Sequence, residues 1–600
     1  MWKKICAAAV LLLAAGALVW LLIPPRQIPS VLESLRTDAG SVDNWENAIA
    51  YVPLDDRTDN LEDVVYLAEA SGYQVVLPPG DSYCTKLDGQ APNSNGTQYG
   101  DRETLLNWLQ EMEALGCNLY LLSLDQIFSG GLVNSRSVSG PADLTFADGT
   151  VMSETEAFDK FILSLSQDPD NRIYLFDSVV RLASTVGYQG FDLAEYNALR
   201  SYGMAARPTL EGNNLTLENI FANYPFAEDG AASAQDKVDP RFQDDLTDQM
   251  IENYLGVRMR KLRLTDYVIS ALKTTPYDNI HLLIGIDDSS NTNNIQYNEL
   301  HYIAQQTGRG STLLTGLDSL ARLLVGQIAQ ERYDHQVKTY LRYIGGSQSI
   351  PSSEYDFYTL EETVNLHMEL FQAQQVPEME AELQLLVMTA PDNPEKSADY
   401  CEELVSQLEH NAQNRIPTIL LEASNNAYGD MLEQMLFERV DFGSLLAFAG
   451  KYDQANVTGA AFAMGFSRYL YLACRQEKEE ACDIAHVRQI ANSVALTYPY
   501  ILHTRYEMNE YVKKLGGNYN NILPNPIKDK LIQGKLEKLF LPRCDGVLNN
   551  LRGTRLISSL APYEEKQIND VVIRDVYFPW NRTFELSFTI DVGPLSLAEN

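Results

Sequence analysis

Ala48-Ile49-Ala50-Tyr51-Val52-Pro53-Leu54-Asp55-Asp56-Arg57 passes from an unbroken apolar run directly into two carboxylates and a guanidinium. A short apolar run with polar groups only at its carboxyl end suits a strand buried on both faces of a parallel sheet. The pattern recurs outward from this stretch. In the first half it returns at 73–77, 119–124, 173–176, 281–286 and 311–315, and in the second at 339–344, 383–388, 418–421 and 445–448. Amphipathic stretches at helical spacing separate most of these runs, as at 103–115, 360–373 and 398–413, with Ser397 expected to cap the last. Strand alternating with helix predicts an α/β fold of parallel sheets with crossover helices. Ten strands exceed one eight-stranded barrel, and a long helical run over 239–273 interrupts the series before the fifth strand. Two Rossmann-like lobes are therefore expected, divided near Asp334, with one elaborated β/α barrel as the alternative.

Further boundaries follow from the flanks. Residues 1–30 read as a membrane anchor or signal segment, 44–334 as the first α/β lobe, 335–500 as the second, and 501–600 as a small α+β unit. That last unit ends in a hairpin over 571–592, turned at Pro579-Trp580-Asn581. The stretches 81–100 and 207–235 are rich in Gly, Pro, Asn, Ser and Thr and predict long surface loops.

At the amino end Lys3 and Lys4 precede an apolar run over 5–23, closed by Pro24-Pro25 and followed by Arg26. Its length approaches the roughly 20 residues of a bilayer span, and the lysines place its amino end inside. The reading is an exported chain on the outer face of the cytoplasmic membrane, or a secreted one if the segment is cleaved. Six further cysteines (84, 117, 401, 474, 482 and 544) contain no Cys-x-x-Cys pair, and the histidines show no i, i+4 pair. No zinc site is indicated. The 46 Lys and Arg against 81 Asp and Glu leave a formal charge of 46 − 81 = −35. A chain so acidic repels phosphate backbones, so nucleic acid is excluded as a partner.

Ligands of parallel sheets bind beyond the carboxyl ends of the strands. Five of the six first-lobe strands end in aspartate: Asp55-Asp56, Asp125, Asp177, Asp287-Asp288 and Asp318. Aspartate is also a common helix cap, which accounts for single residues more readily than for adjacent pairs. Two neighbouring carboxylates repel unless a cation, an arginine or a hydroxyl-rich ligand offsets them. Arg57 follows one pair directly, and Arg136 lies beyond Asp125 in Gly130-Gly131-Leu132-Val133-Asn134-Ser135-Arg136. Doubled aspartates also suit Mg²⁺ or Ca²⁺, although no cofactor is required. No phosphate loop, nucleophile elbow or complete dinucleotide fingerprint is present.

The phrases Val52 to Arg57 and Ser123-Leu124-Asp125 through Arg136 resemble an uncharacterised bacterial family, the domain of unknown function 4127. Gly285-Ile286-Asp287-Asp288 with Glu299, Ala449-Gly450 followed by Asn456 and Gly459, and Phe578-Pro579-Trp580-Asn581-Arg582-Thr583-Phe584-Glu585 extend the likeness over nearly the whole chain. The family supplies no activity. Thr58 stands where its pattern has proline, Lys451-Tyr452-Asp453 where it has Trp-Asn-Thr, and Ser319 where an acidic residue is familiar. The second departure implies altered specificity, or a member that keeps the fold without activity.

Paired carboxylates are what glycosidic cleavage needs, one to protonate the leaving oxygen and one to act as base or nucleophile. The leading expectation is an extracytoplasmic hydrolase of a carbohydrate or cell-envelope glycan. Asp55, Asp56 and Asp125 are its candidate catalytic residues, and Arg57, Arg136, Asp287, Asp288 and Asn456 its candidate substrate contacts. The alternative is a non-catalytic, membrane-tethered protein that binds a sugar or similar polar ligand, or an inactive member of the family.

Overall fold

All ten apolar runs are strands in the computed structural model, which describes residue 35 and residues 37–598 apart from 139, 141, 226–245, 352, 451–452 and 523–524. The first sheet contains β1 (Ala48–Val52), β2 (Gln74–Val76), β3 (Leu119–Ser123), β4 (Arg172–Val179), β5 (Ile280–Ile286) and β6 (Ser311–Thr315). They lie in the order β2-β1-β3-β4-β5-β6, every pair parallel. The second sheet contains β7 (Lys338–Ile344), β8 (Gln374–Gln375), β9 (Leu383–Thr389), β10 (Thr418–Ala423) and β11 (Ala447–Ala449), ordered β8-β7-β9-β10-β11 and again parallel. These are two open α/β lobes rather than one closed barrel.

The continuous apolar character of the strands follows from burial on both faces. Ala50 and Val52 enter one core with Leu105 and Trp108 of the helix Arg102–Ala114, whereas Ile49 and Tyr51 enter another. Tyr120 and Leu122 part from Leu119 and Leu121 in the same way, as a two-residue period requires. The second of these cores runs without interruption into the second lobe, reaching Leu385, Leu420 and Phe448.

Helices bind the lobes together. With α1 (Glu62–Ala70), α2 (Leu124–Ser129), α3 (Asp248–Thr274), α4 (Leu320–Tyr333), α5 (Gln454–Cys474) and α6 (Glu480–Ala495) defined, α5 follows the last strand of the second sheet yet packs along α4 of the first lobe. Its neighbour α6 packs on α1. The carboxyl-terminal unit adds α7 (Arg505–Lys514), α8 (Pro526–Leu548) and five strands: β12 (Arg555–Leu560), β13 (Tyr563–Gln567), β14 (Val571–Tyr577), β15 (Ser587–Val592) and β16 (Ser596–Leu597). The antiparallel pair β14–β15 is the expected terminal hairpin.

Several expectations need correction. Ser397 is the first residue of its helix rather than its cap, and its hydroxyl donates to the carbonyl of Pro394 at 2.8 Å. The polar stretch from 207 contains a helix, Leu217–Asn223, capped by Thr216. Gly130 and Gly131 serve close packing of the chain on itself: a Cβ on Gly130 would lie 2.9 Å from the carbonyl oxygen of Gly100. The apolar segment 5–23 lies outside the described residues, and among the described residues no helix is long and apolar enough to cross a membrane. The anchored or exported location read from that segment is accordingly withdrawn.

Candidate functional site

The carboxyl ends of β1, β5 and β6 face that of β11 across a cleft of about 790 Å³, and α7 and the segment 580–585 close one side. The approach of the two lobes depends on Gly316, just after β6. Its φ of +85° is the left-handed conformation, and a Cβ there would lie 2.7 Å from the carbonyl oxygen of Ala455 at the start of α5.

Arg57 lines the floor beside β1, and Asp55 lies sealed beneath it, outside the cavity lining. Asp55 is fully buried and accepts from the Arg57 amide at 3.1 Å, from its Nη2 at 2.7 Å and from Asn60 Nδ2 at 3.1 Å. The same guanidinium reaches Asp318 Oδ1 at 2.6 Å and lies over the Trp580 ring, 4.9 Å from its centroid. Burial raises Asp55 despite Arg57. At Asp318 burial acts in the same direction, but Arg57 prevails and holds that carboxyl below its ordinary value.

Asp56 points away from the cleft. It accepts from Trp580 Nε1 at 2.9 Å and from the Thr85 amide at 3.1 Å, with Lys86 Nζ at 3.6 Å. Asp125 is also outside. Because α2 begins at the end of β3, with Ser123 as its cap, Asp125 turns beneath α3 and meets Lys261 Nζ at 2.7 Å. Lys261 also reaches Asp177, to which Thr265 donates at 2.9 Å. The ammonium overcomes burial to pull Asp125 down, whereas burial raises Asp177. None of Asp55, Asp56 and Asp125 lines the cavity, and the catalytic assignment to them receives no geometric support.

Arg57, Arg136, Asp287, Asp288 and Asn456 do meet in the cleft. Arg136 pairs with Asp287 and donates to Thr185 Oγ1 at 3.2 Å, and Arg181 Nη1 lies 2.9 Å from Asp288. Burial, assisted by Asp288, pushes Asp287 up to about 6 against Arg136. Sequence reasoning marked Asp318 as a strand end and Asp453 as a departure from the family pattern without giving either a role in the site, and it missed Arg181, Asp356 and the aromatic rings. Asp453 caps α5, accepting from the Ala455 amide at 3.1 Å and from Asn456 Nδ2 at 2.8 Å. Its side chain is exposed to the cleft. The cleft walls around it, with the charges of Asp356 and Asp288, push its carboxyl up to about 8 against the hydrogen bonds of the cap, although the side chain itself remains open to the cleft.

Each doubled aspartate thus has a side-chain cation: Arg57 and Lys86 for the first pair, Arg136 and Arg181 for the second. A three-donor group lies elsewhere. Asp430, Glu433 and His503 present ligand atoms within 4.8 Å of one another beside a separate cavity of about 570 Å³, where His503 Nε2 and Glu433 form an ion pair at 2.7 Å.

A family model described as a protein of unknown function (DUF4127) matches residues 49–589. No curated protein and no solved structure matches the chain.

Proposed function

The chain belongs to the DUF4127 family, whose description names no activity, and from the cleft itself we propose a hydrolase that acts on a carbohydrate held between the two lobes. The observation that carries this reading is where the aromatic rings lie. Every exposed phenylalanine, tyrosine or tryptophan ring among the described residues, namely Tyr355, Tyr506, Tyr519 and Phe584, lines this one cleft. Rings standing in water beside carboxylates and guanidinium groups suit a ligand with apolar C–H faces and hydroxyl edges, as a sugar has. The cavity volume falls within the usual range for small-molecule sites, about 300–1,000 Å³.

In this reading Asp453 is the proton donor and Asp288 the base. A carboxyl whose surroundings raise its proton affinity is suited to the acid role near neutral pH. Asp453 is raised by the cleft walls around it and its acidic neighbours and so keeps a proton to give, and Asp288 shares the cleft with it, with Arg181 Nη1 at 2.9 Å. Asp288 comes from the first lobe and Asp453 from the second, so a substrate between the lobes lies between donor and base. The test is turnover of neutral and acidic oligosaccharides by the full chain, read as new reducing ends. Asp453→Asn and Asp288→Asn should each lower kcat by about 100-fold or more. Asparagine is also a good helix cap, so Asp453→Asn removes the proton while keeping the start of α5. No turnover of any substrate by the wild-type chain overturns the hydrolase.

A second reading has one observation in its favour. Asp287 and Asp288 are each tied to an arginine, an arrangement that also suits sugar binding without chemistry. Ligand-induced compaction in solution scattering without turnover would select it.

A further inference from the structure

Six arginines line the cleft, and five of them have a carboxylate within 4.0 Å. Arg57 has Asp318, Arg136 has Asp287, Arg181 has Asp288, Arg322 has Asp63 and Arg582 has Glu585. Arg505 is the sixth. Among the described residues no carboxylate pairs with it, and its guanidinium lies over the Phe584 ring, 4.2 Å from the centroid. Stacking fixes the plane of the guanidinium and leaves its N–H edge available, as bidentate recognition of a planar anion requires. Asn509, one helical turn further along α7, also lines the cavity. Its Oδ1 accepts from Thr583 Oγ1, which orients its amide N–H₂ as a second donor.

We infer that the ligand of this cleft carries a carboxylate, making it a sugar of the uronic-acid class, and that Arg505 and Asn509 bind that group. The inference builds on the carbohydrate reading above and narrows it. Arg582 also lies over the Phe584 ring, 5.4 Å from its centroid, but is paired with Glu585, so one unpaired guanidinium flanked by a neutral amide remains; that matches a planar group of single charge, whereas a phosphate dianion calls for further cations.

Calorimetric titration of the full chain tests this with matched pairs: oligomers of galacturonate, glucuronate and mannuronate, each against its carboxyl-reduced neutral form, together with a hexose phosphate. The wild-type chain should bind one acidic oligomer about tenfold or more tightly than its neutral counterpart. Arg505→Gln should abolish that preference, lowering affinity for the acidic oligomer by about tenfold more than for its neutral counterpart. Equal affinity for the two members of every pair, a preference that survives Arg505→Gln, or preferential binding of the hexose phosphate would overturn this inference and leave the carbohydrate reading standing. Binding of none of the sugars would overturn both.

Discussion

Glu62 is a carboxyl with almost no access to water, at the first turn of α1, where Ser587 Oγ of the carboxyl-terminal hairpin donates to its Oε1 at 2.7 Å. Its Oε2 is sealed without a hydrogen-bond partner. Burial outweighs the serine and raises this group from 4.5 to about 7. The folded state therefore keeps a proton that the unfolded chain has already released, and this contribution is complete below about pH 4.5 and lost as pH rises through about 7. The shift corresponds to roughly 3 kcal/mol across that window. Glu62→Gln carries the uncharged form at every pH. Its Tm should match the wild type near pH 4.5 and exceed it increasingly toward pH 8, and a constant difference across that range would refute the assignment. The residues of the cleft were legible to a similar depth. Strand-end position located Asp287, Asp288, Arg57 and Arg136, since a parallel sheet gathers its carboxyl ends. The partners of those residues were not legible: Lys261 lies 136 positions from Asp125, and Arg181 lies 107 from Asp288. Only the fold brings them together, and that pairing separates a buried structural carboxylate from one that faces a ligand.

Among the helices, α5 is the one on which both lobes converge, and it is buried almost all round. Two glycines make that possible. A Cβ on Gly465 would lie 2.1 Å from Ile419 Cδ1 and 2.2 Å from its Cγ1, and one on Gly459 would lie 2.1 Å from Ser319 Oγ. Gly465→Ala gains about 1 kcal/mol of helix propensity but drives a methyl into packed Ile419, and overpacking of that kind costs about 1–3 kcal/mol. The clash should prevail and lower Tm. Ile419→Ala should relieve it, so the double variant is expected to lose less stability than the sum of the two singles, whereas strict additivity would show that Gly465 is not set by this contact. This helix also marks where reading elements from sequence stops. The ten strands were visible because burial on both faces leaves continuous apolar runs, while Gln374–Gln375 is exposed at a sheet edge and carries no such signature. That α5 turns back from the second sheet onto the first lobe depends on where its glycines allow close approach, which its helical periodicity does not encode.

For the molecule as a whole, the charge of −35 and the proposed acidic sugar act against each other at a distance. The excess of carboxylates lies over the whole chain, whereas Arg505 acts only within contact range. The approach of an anion is thus opposed until it enters the cleft, where short, partly desolvated contacts take over and are screened far less. Salt separates the two regimes. Raising ionic strength from about 10 mM to about 150 mM shortens the Debye length from roughly 30 Å to roughly 8 Å, which suppresses the long-range repulsion. The association rate of a uronate oligomer should rise, by about fivefold over that range, while its dissociation rate changes little. A basic binding surface would show the opposite trend. The carboxyl-reduced oligomer should show no salt dependence in either rate. Stopped-flow measurement of both oligomers on the wild-type chain decides the matter, since a uronate association rate that falls with salt would mean that an extended basic surface, rather than a local guanidinium in an acidic molecule, governs capture.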